Sequence, residues 1–396
     1  MILLSFASRQ IWPQVLAVLH ARPERLVLFH SAEEHESLHP AQRIKSFFEA
    51  AEVVPRPKVE LRHVPHDRFR DIVDVLANTA EELGLDEHNC QVHLSGGNKM
   101  MALAATEWCR LAGVESFYLE RDLRVFRFRT QGNDLLPQAE FKLDPHLARD
   151  LDPVALLRCQ FDGAEIVSPG QSLVLSDLGE AVDEVEIQSG LDRSGAGREN
   201  LEPYLHASGP RPKESNTGDY LELATAFVLL KLGVPMVQRG VRLRSGMNRG
   251  HRQEEGELDL VFNWAGKLWV VDCKQRITPD SRANRLREAL ARNGYLAPEV
   301  LELVDRIQEE LREKELKPLK EDLLVVAEAG GLLGRALAVR WHPLPPEAME
   351  FARSRRLPVI FREALVQDLR SQLYPDQPAS LDQLRSLAKA RTTARA

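Results

Sequence analysis

The chain has 396 residues, a length that predicts two to three domains, each large enough to bury its own core. Apolar residues make up 43% and charged residues 28%, which excludes a collagenous, fibrous or disordered chain. The formal net charge of −7 argues against a polyanion as partner of the chain as a whole. Residues 211–396, however, hold 31 basic and 26 acidic side chains, whereas residues 141–210 hold 5 and 13. The C-terminal half is therefore the part suited to a polyanion.

The four cysteines, Cys90, Cys109, Cys159 and Cys273, show neither the spacing of a disulfide framework nor the CxxC pair of a zinc site. The N-terminal segment lacks the basic region of a signal peptide, and no window reaches 18 uncharged apolar residues. We therefore predict a soluble, cytoplasmic protein without a membrane segment.

Short apolar runs alternate with helical patterns through the first 140 residues. The predicted strands are Ile2–Phe6, Leu26–Phe29, Val59–Val64, Cys90–Leu94 and Ser116–Leu119. Helices are predicted to begin near Gln10, Pro40, Asp67 and Asn98. Such alternation is typical of an α/β, Rossmann-like domain, in which ligands bind at the carboxyl ends of parallel strands.

Two loops at these strand ends contain candidate ligand-binding residues. The first is Ser8–Gln10, and the second is the sequence SGGNK at residues 95–99, which opens an apolar helix. Glycines allow close backbone approach, a helix N-terminus attracts anions, and Lys99 adds a cation, so the second loop predicts an anion site. The alternative is structural: the glycines form a tight turn, and Ser95 or Asn98 caps the helix.

The SGGNK loop after the fourth strand, with a short polar loop after the first, resembles the CARF domain of type III CRISPR ancillary proteins. That resemblance implies a homodimer that holds a cyclic oligoadenylate between its two subunits, an arrangement that suits a symmetric ligand. The positions that match the family's ligand loops are Ser8, Arg9, Gln10, Ser95, Gly96, Gly97, Asn98 and Lys99.

Residues 141–208 are predicted to form an acidic connector between the sensor-like residues 1–140 and a second domain at residues 209–396. Short helical patterns at Asp152–Cys159 and Ser176–Val182 could form a small, winged-helix-like unit. Its acidity argues against DNA binding by this segment. Pro210 and Pro212 mark its end, since closely spaced prolines disfavour both helix and central strand.

The last domain begins with a predicted helix near Thr217 and three predicted strands, Pro235–Arg244, Gly256–Trp264 and Lys267–Arg276. Strand side chains two apart point to the same side, so Asp272 and Lys274 share a face, and Asp259 can meet them across the turn at residues 265–266. Two carboxylates at the ends of apolar strands predict a hard divalent cation, Mg²⁺ or Mn²⁺. The alternative is an exposed ion pair without chemistry.

Separately, the sequence ELD followed by DCK resembles the PD-(D/E)XK restriction-endonuclease-like superfamily. The resemblance implies that Asp259 and Asp272 bind metal, with the backbone carbonyl of Cys273 as a third ligand, and that Lys274 acts on the attacking water. It also implies that Gln275 positions substrate or water and that Glu222, on the preceding helix, is a further ligand. A single glutamate on such a helix is more often solvated surface.

Between the first two of these strands lies a basic segment without an acidic residue. Its arginines, predicted to bind nucleic-acid backbone from a flexible loop, are Arg239, Arg242, Arg244, Arg249 and Arg252. The alternative is a solvated hairpin tip. Further helices are predicted at Ser281–Arg292 and Pro298–Leu316, and further strands at Leu323–Ala327 and Val359–Phe361.

Together the two resemblances predict a metal-dependent endonuclease of DNA or RNA, activated by a cyclic oligoadenylate, such as the tetra-adenylate, in type III CRISPR antiviral defence. Three alternatives remain open. The chain could be a ligand-sensing regulator with a non-catalytic nuclease-like domain, an enzyme that degrades the cyclic ligand in its sensor pocket, or a restriction-type or repair nuclease without a nucleotide activator.

Overall fold

The computed structural model describes residues 1–50, 56–120, 122–144, 147–148, 151–160, 164–175, 217–245, 255–274, 286–290, 292, 298, 300–307, 309–310, 316, 320 and 335–375. The chain forms two compact units. The first contains Met1–Val167, Leu243–Gly256 and Asn263–Leu268, and the second contains Ser168–Arg242, Glu257–Phe262 and Trp269–Ala396.

The first unit is built on a seven-stranded sheet. Its strands are β1 (Ile2–Phe6), β2 (Arg25–His30), β3 (Lys58–His63), β4 (Cys90–His93), β5 (Glu115–Leu119), β6 (Arg124–Gln131) and β7 (Asp134–Lys142). The strand order is β3-β2-β1-β4-β5-β6-β7, and the first five strands in this order pair in parallel. The helices that cover it are α1 (Trp12–Ala21), α2 (His39–Ala50), α3 (Phe69–Leu83) and α4 (Lys99–Ala112). The five predicted strands and four predicted helices are therefore present.

The central strands are buried on both faces because helices cover both sides of the sheet. On one side Leu4, Phe6 and Val92 pack with Ile72 of α3 and Trp108 of α4 in one apolar cluster. The chain runs from β1 to β2 and β3 on one side of β1, and then returns to β4 on the other side. The loops after β1 and β4 therefore diverge at a topological switch point, where open α/β sheets bind their ligands.

Strands β6 and β7 form an antiparallel hairpin at the edge of this sheet. Sequence analysis missed them because most residues of β7 are exposed, so its sequence contains no apolar run of the kind that marks a buried strand. Helix α5 (Pro153–Gln160) matches the helix predicted at Asp152–Cys159.

The second sheet also has seven strands: β8 (Ala164–Ser168), β9 (Gln171–Val174), β10 (Met236–Ser245), β11 (Glu255–Trp264), β12 (Lys267–Lys274), β13 (Arg335–Arg340) and β14 (Val359–Phe361). The order is β14-β13-β12-β11-β10-β8, with β9 antiparallel to β10. β12, β13 and β14 pair in parallel, so their carboxyl ends share one edge. Helices α6 (Thr217–Lys231), α7 (Pro346–Ser354) and α8 (Leu365–Leu373) complete this part.

Strands β8, β9 and β13 were not predicted. The first two lie in the predicted connector, yet they belong to the second sheet, and the division between the units falls after Val167. β13 follows the region predicted as a strand at Leu323–Ala327, which lies outside the described residues, as do Ser176–Val182 and the boundary at residue 209. Parts of the two predicted helices, residues 286–290 and 300–307, are helical.

The turn between β11 and β12 is formed by Ala265 and Gly266, both with positive φ, at 51° and 67°. A two-residue turn of this handedness matches the twist of a hairpin. The residues of this turn belong to the first unit, where the backbone oxygen of Gly266 accepts the indole N–H of Trp12. A Cβ at Gly266 would lie 3.4 Å from Leu123 and 3.6 Å from Leu16, so the turn is closely packed.

Within the described part of the chain, every helix is too short or too polar to cross a bilayer.

Candidate active site and ligand loops

Asp259 of β11 and Asp272 of β12 lie together in the second unit, with 6% and 8% of their surfaces exposed. Lys274 joins them: its Nζ lies 2.9 Å from Oδ1 of Asp272 and 3.6 Å from Oδ2 of Asp259. The three residues predicted to form the core of the site therefore converge. The two carboxylates are too buried for the exposed ion pair of the alternative interpretation.

The local sequence explains this convergence. The neighbours of both aspartates along their strands are apolar and buried, which places the strands and their carboxylates in the core. These neighbours are Val270 and Val271 on β12 and Leu258, Leu260 and Val261 on β11. Oδ2 of Asp259 accepts the backbone N–H of Cys273 at 2.6 Å, which ties the carboxylate to the facing strand.

Burial and the neighbouring Asp272 raise the pKa of Asp259 to about 6. Burial alone would lower the pKa of Lys274, but attraction to Asp272 and Asp259 outweighs burial and raises it. Lys274 is therefore protonated at neutral pH and places a positive charge beside the two carboxylates. Burial, followed by the charge of Asp259, raises the pKa of Cys273 well above its ordinary value, and its side chain lies in the core.

The donor set fits a hard divalent cation. It consists of the carboxylate oxygens of two buried aspartates, Asp259 and Asp272, which are the ligand type that such cations prefer. The described residues contain no group of three or more His, Cys, Asp and Glu side chains that could hold a metal. Mg²⁺ keeps several waters and is commonly bound by one or two carboxylates, so two suffice.

A second cation, Arg340 at the end of β13, completes the cluster and was missed from the sequence. It is 2% exposed, and its Nη2 lies 2.7 Å from Oδ2 of Asp272. The two atoms form an ion pair but are not aligned as a hydrogen bond, since neither has a hydrogen-bond partner within the part of the chain that the structure describes. The available signal was the apolar run Ala336–Val339 that ends in a charged residue, as the run before Asp272 does.

Glu222 on α6 is not solvated surface: its side chain is 16% exposed and its Oε2 lies 3.2 Å from Nε of Arg239. Its negative charge also contributes to the raised pKa of Cys273, after burial and the charge of Asp259. Its role as a metal ligand stays a prediction, because the contacts described for it join it to Arg239 and not to Asp259 or Asp272.

The predicted basic loop begins as a strand. Arg239, Arg242 and Arg244 lie on β10, which matches the strand predicted at Pro235–Arg244, so the expectation of a flexible loop is wrong for these three residues. Arg239 faces Glu222, whereas the largely exposed Arg242 has its Nε 3.6 Å from Glu257. Arg249, Arg252 and Gln275 lie outside the described residues.

In the first unit, the loops Ser8–Gln10 and Ser95–Asn98 follow the neighbouring parallel strands β1 and β4. The two glycines of the second loop are required by packing. A Cβ at Gly96 would lie 1.9 Å from the backbone oxygen of Phe6, and one at Gly97, where φ is +71°, would lie 2.8 Å from Cβ of Phe6. These glycines let the second loop lie against the end of β1.

Several polar groups of the loops bond within the protein. Ser95 accepts the N–H of Leu119 at 2.5 Å, and Ser8 donates to the backbone oxygen of Gln10 at 3.3 Å. Asn98 caps α4 by accepting the N–H of Met101 at 2.9 Å, as the structural alternative predicted.

The long side chains of the loops differ in their surroundings. Lys99 is exposed and Gln10 partly so, whereas Arg9, also exposed, lies 3.3 Å from Glu36. Gln14 on α1 was missed: it is fully buried, its Nε2 donates to the oxygen of Phe6 at 2.8 Å, and its Oε1 has no partner among the described residues. A polar residue inside the apolar sequence WPQVLAVL was its signal.

No family model and no curated protein sequence matches the chain. Solved structures do. Can2 from Sulfobacillus thermosulfidooxidans, in complex with cyclic tetra-adenylate, matches with a TM-score of 0.56 and 16% identity over 94% of this chain and 98% of that one. Protein VC1899 from Vibrio cholerae matches with a TM-score of 0.60 and 15% identity over 94% and 97%.

A type III CRISPR defence DNA nuclease activated by cyclic oligoadenylate matches with a TM-score of 0.55 and 21% identity. The likeness covers 87% of this chain and 46% of that one. At such identities the comparison establishes architecture. The predicted mixed α/β fold is confirmed, and the chain shares the fold of Can2 and of the type III CRISPR defence nuclease.

Proposed function

We propose that the chain is a metal-dependent endonuclease, activated by a cyclic oligoadenylate, that acts in the cytoplasm in type III CRISPR antiviral defence. The main support is that Lys274, at the end of β12, lies within 4 Å of the buried carboxylates of Asp272 and of Asp259 in the middle of β11. Burying two carboxylates in apolar strands costs free energy, and such buried charges are concentrated at functional sites. This favours an active site over a chance cluster.

The residues divide the chemistry of phosphodiester hydrolysis between them. Asp259 and Asp272 would hold Mg²⁺ or Mn²⁺, which, when bound, polarises the phosphodiester and acidifies a water molecule. Protonated Lys274 donates hydrogen bonds to the attacking water and offsets the negative charge that develops on the phosphorus oxygens. The backbone carbonyl of Cys273 and the side chains of Glu222 and Gln275 remain proposed contributors.

The proposed activator site is the switch point between β1 and β4. Its supports are the adjacency of the two loops and the cation Lys99 at the start of α4. The structural neighbour Can2 is in complex with cyclic tetra-adenylate, and we propose the same ligand here. Arg9, Gln10 and Lys99 are the long polar side chains of these loops and would contact its phosphates and bases, whereas Ser95 and Asn98 shape the loop.

We propose that the protein acts as a homodimer, because an isologous interface presents each loop twice to a cyclic ligand. Helix α4, which starts at the second loop, exposes Met100, Leu103 and Leu111. Exposed apolar side chains on one helix of a soluble protein favour a contact with another surface.

The proposed substrate is DNA or RNA, gripped through its backbone by Arg242 and Arg244 on β10 and by Arg249 and Arg252 after it. A related fold occurs in a DNA nuclease, which supports DNA as one substrate. Contacts of arginine to phosphate carry little sequence information, so the cleavage should be weakly sequence-specific and sensitive to salt.

The test uses labelled single-stranded RNA, single-stranded DNA and plasmid DNA, each with and without cyclic tri-, tetra- or hexa-adenylate, in Mg²⁺, Mn²⁺ or EDTA. We expect cleavage that requires both the metal and a cyclic oligoadenylate and is lost in Asp259→Ala and Lys274→Ala. Ligand binding without metal-dependent cleavage would indicate a regulator. Cleavage without a nucleotide would indicate a restriction-type or repair nuclease, and consumption of the ligand by Asp259→Ala would indicate a ring-degrading enzyme.

A further inference from the structure

We propose that Arg340 is a positioning residue that holds Asp272 in the orientation needed to bind the divalent cation. This inference rests on the proposed function. The guanidinium of Arg340 contacts Asp272 twice: Nη1 donates to its backbone oxygen at 2.9 Å, and Nη2 lies 2.7 Å from its Oδ2. Nη1 also donates to the backbone oxygen of Val339 at 3.0 Å.

These contacts hold both the backbone and the side-chain carboxylate of Asp272. By bonding the main-chain oxygen and facing the side-chain oxygen of Asp272, a single rigid group sets the backbone and the direction of the carboxylate together. A planar guanidinium can do this, whereas the ammonium of a lysine is a single point of charge. The register of β12 and β13 pairs Lys274 with Arg340, so Arg340 reaches back to Asp272 two positions earlier.

The two cations of the cluster lie at different oxygens of Asp272. Lys274 faces Oδ1 and also approaches Asp259, so it bridges the two carboxylates where a divalent cation would be shared. Arg340 faces Oδ2, and its contacts described here are to Asp272 and Val339. Lys274 is therefore the cation that competes with a metal ion, and Arg340 is the cation that supports the ligand.

This difference predicts opposite effects for two variants that lose the same charge. If charge alone mattered, Arg340→Met and Lys274→Met would both reduce the repulsion of an incoming Mn²⁺ and strengthen its binding. If Arg340 positions Asp272, Arg340→Met weakens Mn²⁺ binding, because partners that orient a ligand typically contribute about 10- to 100-fold in affinity.

The experiment measures Mn²⁺ binding to the full-length protein by isothermal titration calorimetry, without nucleic acid or activator. We expect Mn²⁺ to bind Arg340→Met at least about tenfold more weakly than wild type and to bind Lys274→Met as tightly or more tightly, although Lys274→Met has lost cleavage. Arg340→Lys keeps the charge and the fold but cannot bridge both oxygens, so we expect weaker binding there too.

Circular dichroism and thermal unfolding establish that each variant is folded, and Arg340→Lys decides the matter if Arg340→Met does not fold. Mn²⁺ binding at wild-type affinity in a folded Arg340 variant would overturn the inference and leave the proposed function intact. A wild-type chain that binds no Mn²⁺ would overturn the metal dependence of the proposed function and this inference with it.

Discussion

The carboxylate of Asp259 accepts the backbone N–H of Cys273 at 2.6 Å, so one of its oxygens is held by the main chain of the facing strand. The carboxylate therefore keeps its place through the protein itself. Its charge, however, is unfavourable there, because burial and the neighbouring Asp272 raise its pKa to about 6. Position and charge are thus separable at this residue.

Asp259→Asn should abolish cleavage and stabilise the protein. The amide oxygen still accepts the N–H of Cys273, but the buried charge is gone. A pKa displaced from 3.8 to about 6 corresponds to a stabilisation of about 1–3 kcal/mol at pH 7–8. Urea unfolding in EDTA measures the free energy of unfolding. The control is Glu257→Gln, at an exposed position of the same strand, which should change this free energy by less than about 0.5 kcal/mol. A less stable Asp259→Asn would contradict this account.

The pKa of Asp259 also predicts a pH dependence of cation binding. Below about pH 6 the carboxylate takes up a proton that competes with Mn²⁺, so affinity and cleavage should fall by up to tenfold per pH unit. Lys274 stays protonated over this range because its pKa is raised. Titration of Mn²⁺ at pH 5, 6, 7 and 8 measures the effect, and equal affinity at pH 5 and 7 would be inconsistent with it.

The raised pKa of Asp259 also determines how this residue affects the free energy of unfolding as pH changes. In the folded protein Asp259 has a higher pKa than in the unfolded chain, so between about pH 4 and pH 6 the folded state binds more protons. The contribution of this residue to the free energy of unfolding therefore falls as pH rises through that window. This contribution should be absent in Asp259→Asn, so a comparison of urea unfolding of the two proteins at pH 4, 5, 6 and 7 without metal measures it.

Gly96→Ala should impair binding of cyclic tetra-adenylate through the shape of its loop. The added Cβ would meet the backbone oxygen of Phe6 and Nε2 of Gln14, at 1.9 and 2.5 Å, so the loop must move away from β1. We expect a loss of about 1–3 kcal/mol of stability and at least about tenfold weaker ligand binding, the equivalent of about 1.4 kcal/mol. Fluorescence polarisation with a labelled ligand measures the latter.

Gly84→Ala provides a matched control for that loss of stability. Gly84 has φ of +60° with open space around its Cβ position, so alanine costs about 1–2 kcal/mol through backbone strain alone. Gly84 ends α3, away from both loops, and its variant should bind the ligand as wild type does. Equal losses of affinity in the two variants would show that general destabilisation explains the effect.

Local patterns account for what could be predicted. Strand β1 lies at its predicted bounds, and Asp259, Asp272 and Lys274 were identified because they are charged residues within or at the end of buried apolar runs. Arg340 lies 68 residues from Asp272, and the pairing of β12 with β13 that joins them leaves no local pattern. Likewise, the ion pair of Glu222 with Arg239 depends on how α6 packs on β10, so a helix pattern alone favoured solvated surface.

Trp12 contacts the turn of the hairpin that carries the candidate active-site carboxylates. It lies two residues after Gln10, at the start of α1, and its indole N–H is donated to the backbone oxygen of Gly266. The strands that leave this turn carry Asp259 and Asp272. We predict that a shift of the first turn of α1 on ligand binding changes the turn at Gly266 and, through β11 and β12, the carboxylates.

Trp12→Phe keeps an aromatic ring but removes the indole N–H. We expect near-normal affinity for cyclic tetra-adenylate. The stimulation of cleavage by this ligand should fall by about 5- to 150-fold, which corresponds to the coupling free energies of about 1–3 kcal/mol that are usual between two sites. Trp108→Phe, a buried tryptophan of α4 in the core of the same unit, controls for lost packing. Comparison of binding by fluorescence polarisation with cleavage rates separates the two quantities. Undiminished stimulation in Trp12→Phe would rule out this route. An equal loss of stimulation in Trp108→Phe would also rule it out, because lost packing in the unit would then explain the effect.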